Sequence, residues 1–321
     1  MSVKNMDKTN ILVTGGAGFI GSYIVPRLLK EGMTVIVLDN LSTGKLSNLR
    51  GCLDNAKFRF INADIRDRAA LGRACDGVYF VVHLAALIDV AASVANPALT
   101  YEVNVTGTLN LLQASVRSKV KRFVLASSTA VYGDCKELPV KETANLQPLS
   151  PYAASKATAE AYCRAFKERY GLNTVSLRFF NVFGSGNENN PYSGVITKFL
   201  RNAVTGEKLT IYGDGEQTRD FIHVSDIADA VFSTLNNDKL HSDRFNICTG
   251  IPTSINQLVD SLKAVTNKDL AVTYRPPRQG EIRYSYGDTT KAVEELGFRS
   301  KVGLIEGLNL MYNSLAEQIV A

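Results

Sequence analysis

Thr14-Gly15-Gly16-Ala17-Gly18-Phe19-Ile20-Gly21 follows the apolar run Ile11-Leu12-Val13 and opens a stretch of helical pattern. Glycines at a strand-to-helix turn have a physical use, because side chains there block the tight turn and keep backbone amides away from a diphosphate. The spacing of Gly15, Gly18 and Gly21 differs from the common G-x-G-x-x-G, and taken alone the string also reads as a structural turn. The next apolar run, Thr34 to Leu38, ends in Asp39. An acid at that place accepts hydrogen bonds from an adenosine ribose and repels a 2′-phosphate, which points to NAD rather than NADP.

Outward from this string, apolar runs alternate with helical patterns through the first half of the chain. Strands are expected at 10–14, 34–39, 57–62, 78–84, 121–127 and 173–179, and helices at 18–30, 67–74, 98–117 and 151–170. That alternation predicts an α/β fold built on a doubly wound parallel sheet. Pro26 falls inside the first helix, where it should kink the helix or cost about 3 kcal/mol. After about residue 180 the pattern breaks at Gly184-Ser185-Gly186-Asn187-Glu188-Asn189-Asn190-Pro191, which reads as a loop leaving the sheet. Phe221–Val224 and Phe245–Cys248 are expected to return to the sheet. The division is then residues 1–180 as a dinucleotide-binding domain and 181–321 mainly as a smaller, sequence-discontinuous α/β substrate domain, with returning segments near 221–248.

The 321 residues are 45% hydrophobic, enough for a substantial core, and the net charge of +5 is spread rather than massed. No basic stripe marks a nucleic-acid partner, although a slightly basic cleft suits an anionic substrate. Cys52, Cys75, Cys135, Cys163 and Cys248 form an odd set without a C-x-x-C pair, which argues against a disulfide framework or zinc knuckle. His83, His223 and His241 lack metal-ligand spacing, and the first two read as hydrogen-bonded core histidines. No metal is expected. The polar start MSVKNMDKTN and the absence of a bilayer-length apolar stretch suggest a cytoplasmic protein with no membrane association.

Ser128 and the string Tyr152-Ala153-Ala154-Ser155-Lys156 carry candidate chemistry. A Tyr and a Lys four positions apart share one helical face, where the ammonium favours the phenolate. Ser150 as N-cap and Pro151 as first helical residue put Tyr152 in the first turn, near the positive end of the helix dipole. Gly171 is the expected stop. Read alone, Y-x-x-x-K occurs by chance in many helices, and Ser128 by itself reads first as a strand-end residue bonded to nearby backbone.

The chain resembles the extended short-chain dehydrogenase/reductases, and within them the UDP-hexose 4-epimerases. The blocks that carry the resemblance are TGGAGFIG, LDNLSTG at 38–44, HLAA at 83–86, SSTAVYG at 127–133, SPYAASK at 150–156, RFFNVFG at 178–184, PYSGVITKF at 191–199, IYGDGEQTRDFIHVSD at 211–226 and RQGEIRYSYGD at 278–288. It implies a Rossmann sheet, held NAD and a catalytic triad of Ser128, Tyr152 and Lys156. Ser128 is implied to bond the sugar 4-oxygen, Tyr152 to take the 4-hydroxyl proton, and Lys156 to hold the nicotinamide ribose. Cofactor contacts are implied for Gly15, Gly18, Phe19, Ile20, Gly21, Asp39, Asn40, Ser42, Thr43, Gly44, Asp64, Ile65, Leu84, Ala85, Ala86 and Asn104. Substrate contacts are implied for Asn181, Val195, Tyr212, Arg219, Arg278, Glu281 and Ser285, with the two arginines on the diphosphate and Tyr212 on uracil. Glu281 replaces the usual Asp.

Sibling reactions are separated by residue type. Sugar 4,6-dehydratases carry Asp-Glu after the triad hydroxyl and UDP-glucuronate decarboxylases a Glu, where this chain has Thr129-Ala130. C4 epimerisation needs no such acid. Ser285 is small where the family closes the sugar pocket with a bulky aromatic or a small residue, so UDP-GlcNAc/UDP-GalNAc is expected alongside UDP-glucose/UDP-galactose. Asp89, where a Ser is typical, faces either the sugar or solvent. Arg283 could receive a uronate carboxylate, which keeps a UDP-glucuronate 4-epimerase as the alternative enzyme. A non-catalytic NAD-binding sensor is the alternative of another class. The family pairs helices equivalent to 98–117 and 151–170 into a homodimer, and Ala153, Ala157 and Ala161 permit that approach.

Overall fold

The computed structural model describes residues 9–186, 194–278 and 280–320, with side chains as far as residue 315. The polar start and part of the 184–199 region lie outside the described residues. In chain order the first half holds β1 (Asn10–Thr14), α1 (Gly21–Lys30), β2 (Thr34–Asp39), β3 (Phe58–Asn62), α2 (Arg68–Ala74), β4 (Phe80–His83), α3 (Val90–Ala95), α4 (Pro97–Tyr101), α5 (Thr108–Arg117), β5 (Arg122–Ser128), α6 (Pro151–Tyr170) and β6 (Asn173–Phe179). Then follow β7 (Asn181–Phe183), α7 (Val195–Thr205), β8 (Leu209–Tyr212), β9 (Thr218–His223), α8 (Val224–Asn236), β10 (Arg244–Ile247), β11 (Pro252–Ser254), α9 (Ile255–Thr266), β12 (Val272–Arg275), β13 (Tyr284–Ser285), α10 (Thr290–Leu296) and α11 (Leu304–Val320).

Seven parallel strands form the main sheet in the order β10-β6-β5-β4-β1-β2-β3. The period-2 alternation sends Ile11 and Val13 to one face, against Ile24 and Leu28 of α1 and Val231 of α8. Leu12 goes to the other, against Leu71 of α2, Leu111 of α5 and Phe166 of α6. Each such buried aliphatic contributes about 1.5–3 kcal/mol, and two covered faces explain why the strands are continuously apolar. The chain runs from β1 outward to β2 and β3, then crosses to β4 on the other side of β1. The loops after β1 and β4 diverge at this switch point and open a crevice at the strand ends.

A separate sheet joins β9 to β7, β11 and β13, and β8 pairs with β12. These strands and α7, α9 and α11 enclose a second core around Leu200, Ile211, Leu258, Leu262 and Met311. The expectation that both later segments return to the main sheet is half right. Residues 244–247 pair with β6, but residues 221–223 belong to β9 of the second sheet. β10 covers the β6 edge, so β9 finds its partners elsewhere.

Helix α6 matches its predicted ends. The Ser150 hydroxyl accepts from Ala153 N at 3.1 Å, worth about 1 kcal/mol, and Gly171 closes the helix at φ +68°. The expected 98–117 helix is α4 and α5 joined by a π-helical turn, Glu102–Gly107. Helix α3 is absent from the sequence reading because six residues are too few to show a period. Pro26 leaves α1 unbroken from Gly21 to Lys30. It lies on the exposed face, where solvent can bond the carbonyl one turn back that the ring deprives of a partner. All five cysteines are free, and among the described residues no helix is long and apolar enough to cross a membrane.

Candidate active site

A cleft of about 480 Å³ opens at the switch point, between the ends of β1, β2 and β4 and the first turns of α6. Gly15 has φ +71°, and a Cβ there would meet the Ala85 backbone N at 2.5 Å. The glycine loop thus packs directly against the loop after β4. A Cβ at Gly18 would meet only the Gly15 carbonyl, at 3.3 Å, so this side of the loop stays open. Helix α1 begins without a side-chain cap or an acid in its first turn, leaving its free amides and dipole to an anion. A diphosphate fits this cradle.

Asp39 lines the cleft with both carboxylate oxygens engaged: Ala17 N donates to Oδ2 at 3.0 Å and Leu41 N to Oδ1 at 2.8 Å. It fixes the shape of the glycine loop besides offering remaining lone pairs to a ribose. Asn40 donates to Asp64 at 2.8 Å, and the Arg66 guanidinium beside Asp64 holds that carboxyl down at about 2. Phe19, Ile20, Gly21, Ser42, Thr43, Ile65, Leu84, Ala85, Ala86, Tyr152 and Lys156 also line the cleft. Gly44 does not. It packs against Ala17, whose carbonyl carbon lies 2.8 Å from where a Cβ would stand.

Asn104 is 2% exposed and reaches the cleft only through others. Its amide clamps both backbone groups of Leu87, at 2.8 and 2.9 Å, and donates to the Ser155 hydroxyl at 2.9 Å. Ser155 in turn donates to the Tyr152 carbonyl at 2.7 Å. The π-helical turn is what rotates Asn104 onto the 84–88 loop, and no sequence signal shows it. Ser93 of α3, also unforeseen, lines the cleft and accepts from Tyr152 N at 3.2 Å. His83 is a core histidine, as expected: Nδ1 lies 2.7 Å from the Thr14 hydroxyl and Nε2 2.8 Å from that of Thr108. Thr108 gives its own proton to the Asn104 carbonyl at 2.6 Å, so Nε2 carries the imidazole hydrogen. Burial, and then the Lys156 charge, push this histidine down to about 3, so it is neutral near pH 7.

Tyr152 and Lys156 face the cleft side by side along α6, but their electrostatics differ from the sequence expectation. Burial raises the Tyr152 phenol above its ordinary value, offset in part by the Ser128 hydroxyl. Lys156 is lowered to about 8 by burial, and its Nζ donates to the Ala126 carbonyl at 2.9 Å. At the phenol desolvation is the larger effect and the Ser128 hydrogen bond the smaller. Ser128 ends β5, and its hydroxyl accepts from Ala130 N at 3.2 Å. Asp89 caps α3 by accepting from Ala92 N, and it also lines the cleft.

The residues implied for substrate fall on the elements after β6: Asn181, Arg219 and Ser285 on the second sheet, Tyr212 on β8, Val195 on α7, and Arg278 and Glu281 between β12 and β13. Arg278 stacks over the Tyr212 ring at 3.9 Å, Arg219 approaches Glu281 at 3.4 Å, and Ser285 pairs with Arg219 across β13 and β9. Asn181 lies on β7 beside β9, with a buried Oδ1 that has no partner. Val195 is the first residue of α7. Asp220, next to Arg219, accepts from Thr249 N, Gly250 N and Gly287 N at 2.8, 2.9 and 3.3 Å, tying residues 249–250 and Gly287 to β9. Arg283 forks onto Asp214 at 2.9 and 2.7 Å.

Residues 11–248 match the family described as the NAD dependent epimerase/dehydratase family. The chain is 37% identical over 299 residues to the UDP-glucose 4-epimerase of Mycolicibacterium smegmatis, covering 92% of this chain and 95% of that one. Its structure resembles the Thermotoga maritima UDP-glucose 4-epimerase solved with UDP-glucose, at TM-score 0.91 and 40% identity, covering 97% of this chain and 99% of that one. It is also similar to the UDP-N-acetylglucosamine 4-epimerase of Methanobrevibacter ruminantium M1 solved with UDP-N-acetylmuramic acid, at TM-score 0.92 and 38% identity over 98% and 100% of the two chains. With the glycine cradle, Asp39 and the Tyr152–Lys156 pair all meeting in one cleft, the chain belongs to the NAD dependent epimerase/dehydratase family.

Proposed function

We propose that this chain interconverts the C4 epimers of a UDP-hexose through a transient 4-keto sugar, with NAD held between turnovers. The observation that carries this reading is Tyr152 and Lys156 in the dinucleotide cleft beside Ser128, followed by Thr129-Ala130 rather than acids. NAD, held by the glycine loop and Asp39, would supply the hydride acceptor and donor for C4. Tyr152 takes and returns the proton of the 4-hydroxyl, and Ser128 bonds the 4-oxygen. Because burial keeps the phenol protonated, Lys156, the cation on the same helical face, is needed to lower the cost of the phenolate. Arg219, Arg278, Tyr212 and Asn181 suit a uridine diphosphate handle, held while the hexose turns over.

The uronate alternative loses support because the Arg283 fork is already filled by Asp214. The intact triad disfavours a sensor. Incubation with UDP-GlcNAc, UDP-glucose and UDP-glucuronate separately, without added NAD, tests the proposal by chromatography of the products. The 4-epimers of the first two are expected, and no conversion even after NAD is added sinks it. Ser285→Tyr should lower kcat/KM for UDP-GlcNAc by about 10- to 200-fold relative to UDP-glucose, the range over which pocket size discriminates. An unchanged ratio removes Ser285 from sugar selection.

The exposed apolar side chains of Val94, Leu99, Tyr101 and Leu149, beside α4 and the start of α6, fit the homodimer implied by the family resemblance. Sedimentation at micromolar concentration should give about twice the 35.0 kDa chain mass, and a monomer refutes the pairing.

A further inference from the structure

Glu160 lies one helical turn beyond Lys156 on α6 and is buried with it, at 9% and 5% exposure. The two side chains grip consecutive residues at the end of β5. Lys156 Nζ donates to the Ala126 carbonyl at 2.9 Å, and the Ser127 hydroxyl donates to Glu160 Oε1 at 2.5 Å. The next residue is Ser128. Arg178 of β6, fully buried, forks onto the Glu160 carboxylate at 3.0 and 2.6 Å and extends to the Tyr132 hydroxyl at 2.8 Å. Nothing in the proposed proton and hydride transfers uses this carboxylate. A buried ion pair in that position is weak evidence for stability, since apolar residues of similar volume often serve as well. Its place between Lys156 and Ser128 gives it another role.

We infer that Glu160 is a positioning residue for the reaction proposed above: it staples the end of β5, and so Ser128, to the helix of Tyr152, and supplies the negative charge behind Lys156. This rests on the triad reading of the site. The groups facing the pair are Tyr152 and Cys163 from α6, His83 from β4, and Arg178 from β6 with Tyr132 beyond it. His83 is neutral, and burial pushes the Cys163 thiol and the Tyr132 phenol well up. Behind Glu160 a cavity of about 180 Å³ is bordered by Arg164, Asp243 and Arg244, the last two paired at 2.9 Å. Glu160 is therefore the anion that opposes the desolvation of Lys156, which burial has brought down to about 8.

The test is competitive acetylation of Lys156 with trace acetic anhydride from pH 6 to 10, read by mass spectrometry of its peptide on the protein as purified. Lys156 is among the residues that line the cleft. Glu160→Gln should move the labelling midpoint down by about one unit, the lower end for loss of a close opposite charge, and Glu160→Asp should restore most of it. The rate of UDP-sugar conversion at pH 8 should fall by up to about tenfold in Glu160→Gln with KM held. A midpoint equal to the parent's in Glu160→Gln overturns the inference. Should that variant fail to fold with Arg178 left unpaired, Glu160→Gln/Arg178→Met is compared with Arg178→Met alone, so that only the anion differs, and equal midpoints in those two overturn it equally. A displaced midpoint in a protein whose parent converts no UDP-sugar supports the coupling while rejecting the substrate.

Discussion

Tyr152→Phe lowers kcat by about 10³-fold, within the 10²–10⁴ range of general acid–base catalysis, and leaves NAD content and UDP binding close to the parent's. The phenol oxygen is the only atom removed. The peptide groups of Tyr152 remain fixed, its N–H by Ser93 and its carbonyl by Ser155, so α6 keeps its place against the 84–88 loop. The loss should appear in kcat with KM little changed, because in the proposed reaction the proton transfer belongs to the transition state and the residues proposed for the nucleotide handle lie outside α6. Burial sharpens the expectation. A phenol raised above its ordinary value is protonated at neutral pH, so the rate should climb with pH until the phenol or the Lys156 limb near 8 intervenes. Equal kcat in Tyr152→Phe and the parent, measured by product chromatography under saturating UDP-sugar, would remove Tyr152 from the chemistry.

Gly15→Ala is the largest effect expected away from the triad. Gly15 is held at φ +71°, where an L side chain costs about 1–2 kcal/mol, and the new Cβ meets the backbone of Leu84 and Ala85 at 2.5 to 2.9 Å. Backbone on both sides leaves nothing flexible to give. A loss of about 2–4 kcal/mol in urea unfolding is expected, together with purification free of NAD. Gly18→Ala provides the contrast. Its Cβ meets one carbonyl at 3.3 Å, so stability should hold while the open side of the cradle is narrowed and NAD retention drops. If Gly15→Ala unfolds like the parent, the contact between the glycine loop and the 84–86 loop is not rigid, and the cleft geometry drawn from it fails.

The first half of the chain was legible because its signals are local. The alternation Ile11-Leu12-Val13 puts side chains on both faces of a covered sheet, and such strands look the same from sequence and from structure. Ser150, Pro151 and Gly171 bound α6 through cap geometry that depends on a few neighbouring residues. The Tyr152–Lys156 spacing and the glycine string were readable for the same reason, each being one turn or one helix face long, whereas the role of Ser128 entered only through the family resemblance.

What sequence could not supply are quantities set by distant chain segments meeting. Residues 221–224 read as a strand returning to the main sheet, but with β10 on the β6 edge residues 221–223 pair with β7 instead, within the longer β9 of another sheet. The π-helical turn that aims Asn104 at Leu87 has no compositional mark. Arg283 carried the charge a uronate would need, and its meeting with Asp214, 69 residues away, takes that charge up. Tyr152 and Lys156 were fixed as neighbours by their spacing of four. Their ionisation was decided by how much protein packs over them, a property of the folded chain in which desolvation is the largest effect on both groups.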